Sequence, residues 1–259
     1  MRLILVTICF NNLSDVQSTC ASVDKQTRLP DEHWIINGST DSAIADWFSE
    51  HPLPSYRKLI NERDKGIADA FNKGIRLAGD GMIQLLNSGD ELLHEKVLEQ
   101  MAEFIQQNPN ADWISGKIVM KRAGHWVEVG KPFQAAKLYR GMRSISHPGW
   151  WVHKNVYSRV GEYNGAYKIA MDYDMMCRLA KERYAFYNFS SVRFDDSGIS
   201  SNQYIASLEE NKKVYESHFG TSVLLNFWQM RLRLLHHLLH TPAGKFLFHL
   251  KKKLGAENW

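Results

Sequence analysis

Apolar residues gather in short runs that stop abruptly at polar loops, and between those runs they recur every three or four positions. Residues 3–10 read as a strand, 13–25 as a helix, 33–36 as a short strand, and 41–50 as a helix capped by Ser39 or Thr40. Beyond a turn marked by Pro52 and Pro54, residues 57–61 make a third strand, 67–78 a helix and 81–86 a fourth strand halted by Asn87-Ser88-Gly89-Asp90. Strands alternating with helices in this way predict an α/β layer with a parallel, doubly wound sheet, whose ligands bind at the carboxyl ends of the strands. Three polar loops fall at those ends: 10–12, 37–41 and 87–90.

The pattern then loosens. It predicts a helix over 96–107, a strand over 113–120, an irregular aromatic stretch through Trp151 and a helix starting at Asp172. From about Ile205 the chain reads as helical, with a change of character at Ser222. Wrapped at about 100° per residue, Leu224, Leu225, Trp228, Leu232, Leu235, Leu238 and Leu239 share one side and Asn226, Gln229, Arg233, His236, His237 and His240 the other. His236 and His240 are read as part of a polar helix face and not as metal ligands.

Composition narrows the class. The chain has 259 residues, 44% hydrophobic and 23% charged, which suits a globular fold and excludes both disorder and full membrane embedding. No apolar run approaches the roughly 20 residues of a spanning helix. Residues 1–10 resemble the start of a signal peptide, but the run is short and meets Asn11-Asn12 without a cleavage site, so a buried strand is expected. The cysteines, Cys9, Cys20 and Cys177, are odd in number and unpaired in spacing, which argues against a disulfide framework and for a reducing, cytoplasmic setting. The net charge is +4, and much of the excess lies near the end, at Arg231, Arg233, Lys245 and Lys251 to Lys253. Basic residues beside apolar ones point to an anionic membrane surface through 222–254, and away from nucleic acid. A helix packed on its own domain or on a second subunit is the alternative.

Three segments carry candidate chemistry. Asn87-Ser88-Gly89-Asp90-Glu91 places a carboxylate directly after a buried strand, where it suits a divalent cation held against a diphosphate, or serves as a strand-ending turn. In 61–74, acids and bases alternate into a helix at Gly66; Asp69 and Asn72 share a face with Lys73 beside them, pointing into a cleft or into solvent. In 167–179, Asp172 stands at a helix start as a candidate general base or a plain N-cap.

Taken together, Ile36-Asn37-Gly38-Ser39-Thr40-Asp41, the 62–74 segment and Leu85-Leu86-Asn87-Ser88-Gly89-Asp90 occur in an order that resembles family 2 glycosyltransferases, especially those building colanic acid, O-antigen and capsule. The resemblance covers roughly residues 3 to 201. It implies a single α/β domain of the GT-A type over 1–204, with a nucleotide-sugar half (1–90), an acceptor half (91–204) and a helical extension (205–259). By that resemblance Thr7, Phe10 and Asn11 line the nucleoside pocket, Asn37 and Asp41 contact base and ribose, and Asp64 and Lys65 lie near uridine or the sugar. Asn72 and Ser88 join the donor site, and Asp90 holds Mn²⁺ or Mg²⁺. Asp172 is the base of an inverting transfer; Asp174 is its competitor and a candidate acceptor or phosphate contact, though two residues on it is expected to face elsewhere. His147 touches diphosphate or acceptor, and Gly198 and Ser200 sit near the donor phosphates. Two departures stand out: many members carry Asp in place of Asn37 and a further acid in place of Gly89. The implied reaction moves a sugar from a nucleotide-sugar, of UDP type, to an undecaprenyl-diphosphate-linked saccharide at the inner face of the cytoplasmic membrane. The alternatives are a non-catalytic nucleotide-sugar binder and a sugar nucleotidyltransferase; the latter lacks a glycine-rich, lysine-bearing loop after the first strand.

Overall fold

Seven residues without a charge form β1 (Leu3–Cys9), and all but one are buried, as expected of a central strand covered on both faces. The computed structural model describes residues 1–122, 124–142, 145–194, 203–242 and 244. Parallel to β1 run β2 (Glu32–Asn37) on one side and β4 (Met82–Leu85) on the other, with β3 (Arg57–Asn61) outside β2. The crossovers are α1 (Leu13–Asp24), α2 (Ala43–Glu50) and α3 (Ile67–Leu77). The register aligns Cys9, Asn37 and Asn61 across three strands, so the three polar loops that follow β1, β2 and β4 share one edge.

The second half turns back on the first. It comprises β5 (Glu91–Leu92), α4 (Val97–Gln107), β6 (Trp113–Arg122), β7 (His125–Val129), β8 (Trp150–His153), α5 (Lys154–Val160), α6 (Met171–Leu179) and β9 (Tyr184–Phe194). The strand order is β3-β2-β1-β4-β8-β6-β9-β5, with β7 paired to β6. Here β8 is antiparallel to both β4 and β6, while β6 and β9 are parallel. The sheet is therefore parallel over its first four strands and mixed beyond.

Strand alternation sends side chains into two layers. Ile4, Val6, Ile83 and Leu85 join Phe71 and Ile75 of α3 and Met175 and Met176 of α6 on one face. Leu3, Leu5 and Met82 join Leu98 and Met101 of α4 on the other.

Two helix starts differ from the sequence expectation. Ser42, not Ser39 or Thr40, precedes α2; the hydroxyls of Ser39 and Thr40 are engaged by Asn11, and that of Ser42 donates to Asp46 at 2.6 Å and caps no backbone N–H. Ala170 precedes α6, so Asp172 lies within the first turn and is not its N-cap.

The chain continues through α7 (Tyr204–Phe219) and α8 (Val223–His240). Leu225, Trp228 and Leu232 of α8 are buried, Trp228 and Leu232 against Leu208 of α7, whereas Leu224, Phe227, Met230, Leu234 and Leu238 face outward. Of the apolar side read from the sequence, Leu225, Trp228 and Leu232 are docked while Leu224, Leu235, Leu238 and Leu239 are exposed, and the open arc extends onto Phe227, Met230 and Leu234, which that side did not include. Among the described residues no helix is long and apolar enough to cross a membrane.

Candidate active site at the carboxyl edge of the sheet

The loop after β1 is braced to both of its neighbours. Asn11, in a left-handed conformation with φ 52°, donates its backbone N–H to Ser39 Oγ at 2.8 Å and its amide to Thr40 Oγ1 at 2.8 Å, and accepts from Thr40 N–H at 2.8 Å. Asn12 donates to Ser88 Oγ at 2.6 Å, tying the same loop to the 87–90 turn. Between these ties the Phe10 ring is 57% exposed, an open aromatic face at the sheet edge. Asp41 is exposed as well and accepts from Ala43 N–H at 3.2 Å.

Two of the sequence-predicted donor residues belong to the scaffold instead. Thr7 is fully buried and pairs its hydroxyl with His33 Nε2 at 2.9 Å, so it does not line a pocket. Arg57 Nε–H donates to His33 Nδ1 at 3.1 Å, which makes Nδ1 the acceptor and leaves Nε2–H to donate to Thr7. Burial, reinforced by the Arg57 charge, holds the pKa of His33 well below its ordinary value, and the ring stays neutral. Asn37 is also buried; its amide donates to Asn61 Oδ1 at 2.8 Å and accepts from Ser39 N–H at 3.1 Å, locking β2 to β3.

Gly38 lets the 61–66 segment close over this loop. A Cβ at Gly38 would lie 1.8 Å from Asp64 Oδ2, so any side chain there displaces the Asp64 carboxylate. Asp64 also accepts from Gly66 N–H at 2.9 Å, and Gly66 takes φ 119° to enter α3. Lys73 holds the segment from below by donating to the Arg63 carbonyl at 2.5 Å and pairing with Glu62 at 2.9 Å. Lys65 is exposed beside Asp64, its backbone N–H donating to Asp69 at 2.9 Å. Asp69 and Lys73 are thus used in shaping the segment.

The turn that carries Asp90 is organised by a residue the motif reading passed over. Thr19 of α1, fully buried, donates its hydroxyl to the Asp90 carbonyl at 2.8 Å and accepts from Gly89 N–H at 3.0 Å. Gly89 adopts φ 96° here, a conformation that glycine takes without strain. Asp90 is 2% exposed, and Asn87 Oδ1 is buried with no hydrogen-bond partner among the described residues. No group of three His, Cys, Asp or Glu side chains able to hold a metal is present among the described residues. A carboxylate and an amide oxygen on one turn nevertheless fit a magnesium-type ion, which takes one or two carboxylates and completes its shell with substrate phosphates and water.

The acid of α6 reaches the same edge through β8. Because Ile83 pairs with Val152 in antiparallel register, the 3₁₀ turn His147–Gly149 lies just past the carboxyl end of β4, and Gln84 donates to the Pro148 carbonyl at 2.6 Å. His147 is 6% exposed, packed among Phe71, Trp150 and Tyr163, and bonded through Nε2 to the Tyr163 hydroxyl at 2.8 Å. The same Nε2 stands 3.8 Å from Asp172 Oδ1. Enclosed on this side, His147 borders the acid of α6 and does not open toward a diphosphate. Asn72 points away from the donor loops: its amide donates to the Tyr163 carbonyl at 2.9 Å and accepts from Tyr163 N–H at 2.8 Å, pinning Tyr163 over His147.

Asp172 itself has a side chain 30% exposed, with Oδ1 buried and without a hydrogen-bond partner among the described residues. Burial raises its pKa, partly opposed by His147, while burial lowers that of His147 against the pull of Asp172. A carboxylate with raised basicity, one open side and no internal donor can take a proton from an incoming hydroxyl. Asp174 turns elsewhere, as its spacing predicts, and is buried between Arg178 at 2.7 Å and His218 at 2.7 Å. Gly198 and Ser200 lie outside the described residues.

Residues 4–161 match the family described as Glycosyl transferase family 2. The chain belongs to glycosyl transferase family 2. Among its relatives in that family is the PGL/p-HBAD biosynthesis glycosyltransferase of Mycobacterium bovis (strain BCG / Pasteur 1173P2), 28% identical over 173 residues that make up 64% of this chain and 65% of the relative. The chain therefore spans slightly under two thirds of that protein. An uncharacterized glycosyltransferase of Bacillus subtilis (strain 168), YwdF, is 24% identical over 81% of this chain and 84% of its own length. The fold is the GT-A fold of solved glycosyltransferases. It matches Staphylococcus aureus TarS 1-349 in complex with UDP-GlcNAc at a TM-score of 0.61 and 13% identity, over 95% of this chain and 75% of that one. It also matches the Pyrobaculum calidifontis mannosyltransferase PcManGT, in complex with GDP-Man and Mn²⁺, at 0.59 and 14% identity, over 96% and 79%.

Proposed function

We propose that this family 2 chain is an inverting glycosyltransferase that moves a sugar from a nucleotide-diphosphate sugar, UDP-linked, to a saccharide acceptor in surface polysaccharide synthesis. The observation that carries the reading is Asp172, a carboxylate of raised pKa with Oδ1 lacking an internal donor, at the edge where the family's donor loops converge. Solved relatives of the same fold were captured with UDP-GlcNAc or with GDP-Man and Mn²⁺, which supports a nucleotide-sugar donor.

In this reading Phe10, Asn11 and Asp41 present the nucleoside side of the cleft, and Asp64 and Lys65 the sugar side. Asp90, with Asn87 on the same turn, would hold a divalent cation, which would supply positive charge to neutralise the leaving diphosphate. Asp172 takes the proton of the acceptor hydroxyl as its oxygen bonds the anomeric carbon. The carbon–oxygen bond to the diphosphate breaks on the opposite face, and the configuration inverts. The acceptor is proposed to be an undecaprenyl-diphosphate-linked saccharide presented at the inner face of the cytoplasmic membrane.

Purified protein given a panel of UDP-, GDP- and dTDP-sugars with Mn²⁺ or Mg²⁺ is expected to release the nucleoside diphosphate from one donor, faster when lipid-linked saccharide is added. Donor binding without release, even with that acceptor, would leave a non-catalytic binder. Pyrophosphate formation from a nucleoside triphosphate would instead establish a nucleotidyltransferase.

The open arc of α8 supports the membrane part of the proposal. Leu224, Phe227, Met230 and Leu234 are each about three-fifths exposed, with Arg231 and Arg233 on the same helix. Flotation with vesicles containing phosphatidylglycerol is expected to carry the protein upward, and Leu234→Asp to leave it at the bottom of the gradient. Equal recovery from neutral vesicles, unaffected by Leu234→Asp, counts against this orientation.

A further inference from the structure

Two helices remote in sequence meet at the start of α6. Glu210 of α7 extends its carboxylate to three successive backbone N–H groups, those of Lys168 at 3.2 Å, Ile169 at 2.8 Å and Ala170 at 2.9 Å. These are the residues that lead into α6, whose N-cap position, Ala170, has no side-chain cap of its own. Burial by itself would raise the Glu210 pKa, but the three N–H bonds and the Lys213 charge bring it below the usual glutamate value, so a carboxylate occupies this nest at neutral pH.

The other end of the same loop is also held. Arg178 Nη1 donates to the carbonyls of Val160, Gly161 and Glu162, each at 2.9 Å, while its Nε and Nη2 grip Asp174. The 161–170 segment is therefore fastened by Arg178 where it begins and by Glu210 where it ends, and Asp172 follows two residues later. Asp172 has no hydrogen bond to fix Oδ1. Its aim toward the acceptor hydroxyl consequently depends on the backbone that Glu210 secures.

We propose that Glu210 is a positioning residue for Asp172, its carboxylate setting the first turn of α6 so that the Asp172 oxygen meets the acceptor hydroxyl in line. This rests on the reading of Asp172 as the base. Proton transfer to a base falls steeply with small displacement, so loosening the turn should lower turnover and leave donor binding unchanged.

The test compares Glu210→Ala and Glu210→Gln with Asp172→Asn, measuring kcat, acceptor KM, donor affinity by calorimetry and thermal unfolding. Glu210→Ala is expected to lower kcat by about 10- to 100-fold with donor affinity within about twofold of the parent. Glu210→Gln, which keeps the length and one acceptor oxygen, is expected to fall between. If Asp172→Asn is inactive while both Glu210 variants turn over like the parent, the positioning role is overturned and the base assignment stands. If Asp172→Asn retains parental turnover, both are overturned. A loss of donor affinity matching the loss of kcat in Glu210→Gln would show a general structural role and overturn the proposal. Should Glu210→Ala fail to fold, the comparison is decided on Glu210→Gln.

Discussion

Asp172→Asn is expected to lower kcat by about 10²- to 10⁴-fold, the range spanned by a single general base, while the donor dissociation constant changes little. Asparagine keeps the shape beside His147 but cannot accept the acceptor's proton. In the parent enzyme the acidic limb of the kcat profile should have its midpoint above the usual aspartate value of about 3.9, because burial raises the Asp172 pKa. Rate is lost below that midpoint, where the carboxyl is protonated. The sign for stability runs the other way. A folded state that binds this proton more tightly than the unfolded chain loses stability as pH rises from the unfolded value through the folded one. Asp172→Asn removes that penalty, so its unfolding temperature at neutral pH should equal or exceed the parent's. Turnover unchanged from the parent, or a fall explained by lost donor binding, would rule out the assignment.

Removing Asp90 should act on the other partner of the reaction. Asp90→Asn is expected to weaken donor binding in the presence of Mn²⁺ by about 10²-fold and to abolish the difference that a chelator makes in the parent, since on the proposed reading the carboxylate that would anchor the cation is gone. Asparagine is the informative replacement. Asp90 is 2% exposed within a turn fastened to Thr19 through its backbone carbonyl, and a side chain of similar size leaves that bond in place. Calorimetric titration of a UDP-sugar with Mn²⁺ and with EDTA reads the effect directly. Donor binding in Asp90→Asn that is as tight as the parent's and still responsive to the metal would place the cation elsewhere.

The first four strands were legible because each is an apolar run that ends on turn formers, and hydrophobic burial enforces that pattern whatever the partner. Phe10 and Asn11 could be placed at the edge for the same reason, whereas Asp64 was assigned near it only through the family resemblance. Thr7 and Asn37, assigned to the donor through the family resemblance, are buried, because a motif does not say which face a side chain takes or what it meets there. Thr7 meets His33, 26 residues away, and Asn37 meets Asn61, 24 residues away. Asn72 was assigned to the donor through the family resemblance, yet its partner Tyr163 lies 91 residues on. Thr19 carried no signal at all: a threonine inside a helix looks the same whether or not a turn closes over it.

What the sequence by itself determined is the order of elements through β4, the edge where the polar loops gather, and the motifs that mark the family. These follow from local periodicity and turn chemistry, which act between near neighbours. Only the tertiary structure decided that the antiparallel return of β8 brings His147 within 3.8 Å of Asp172, that Asp174 is consumed by Arg178 and His218, and which arc of α8 is left open. Those outcomes depend on contacts between segments tens of residues apart, and the balance of burial and hydrogen bonding that selects them exists only once the layers have packed.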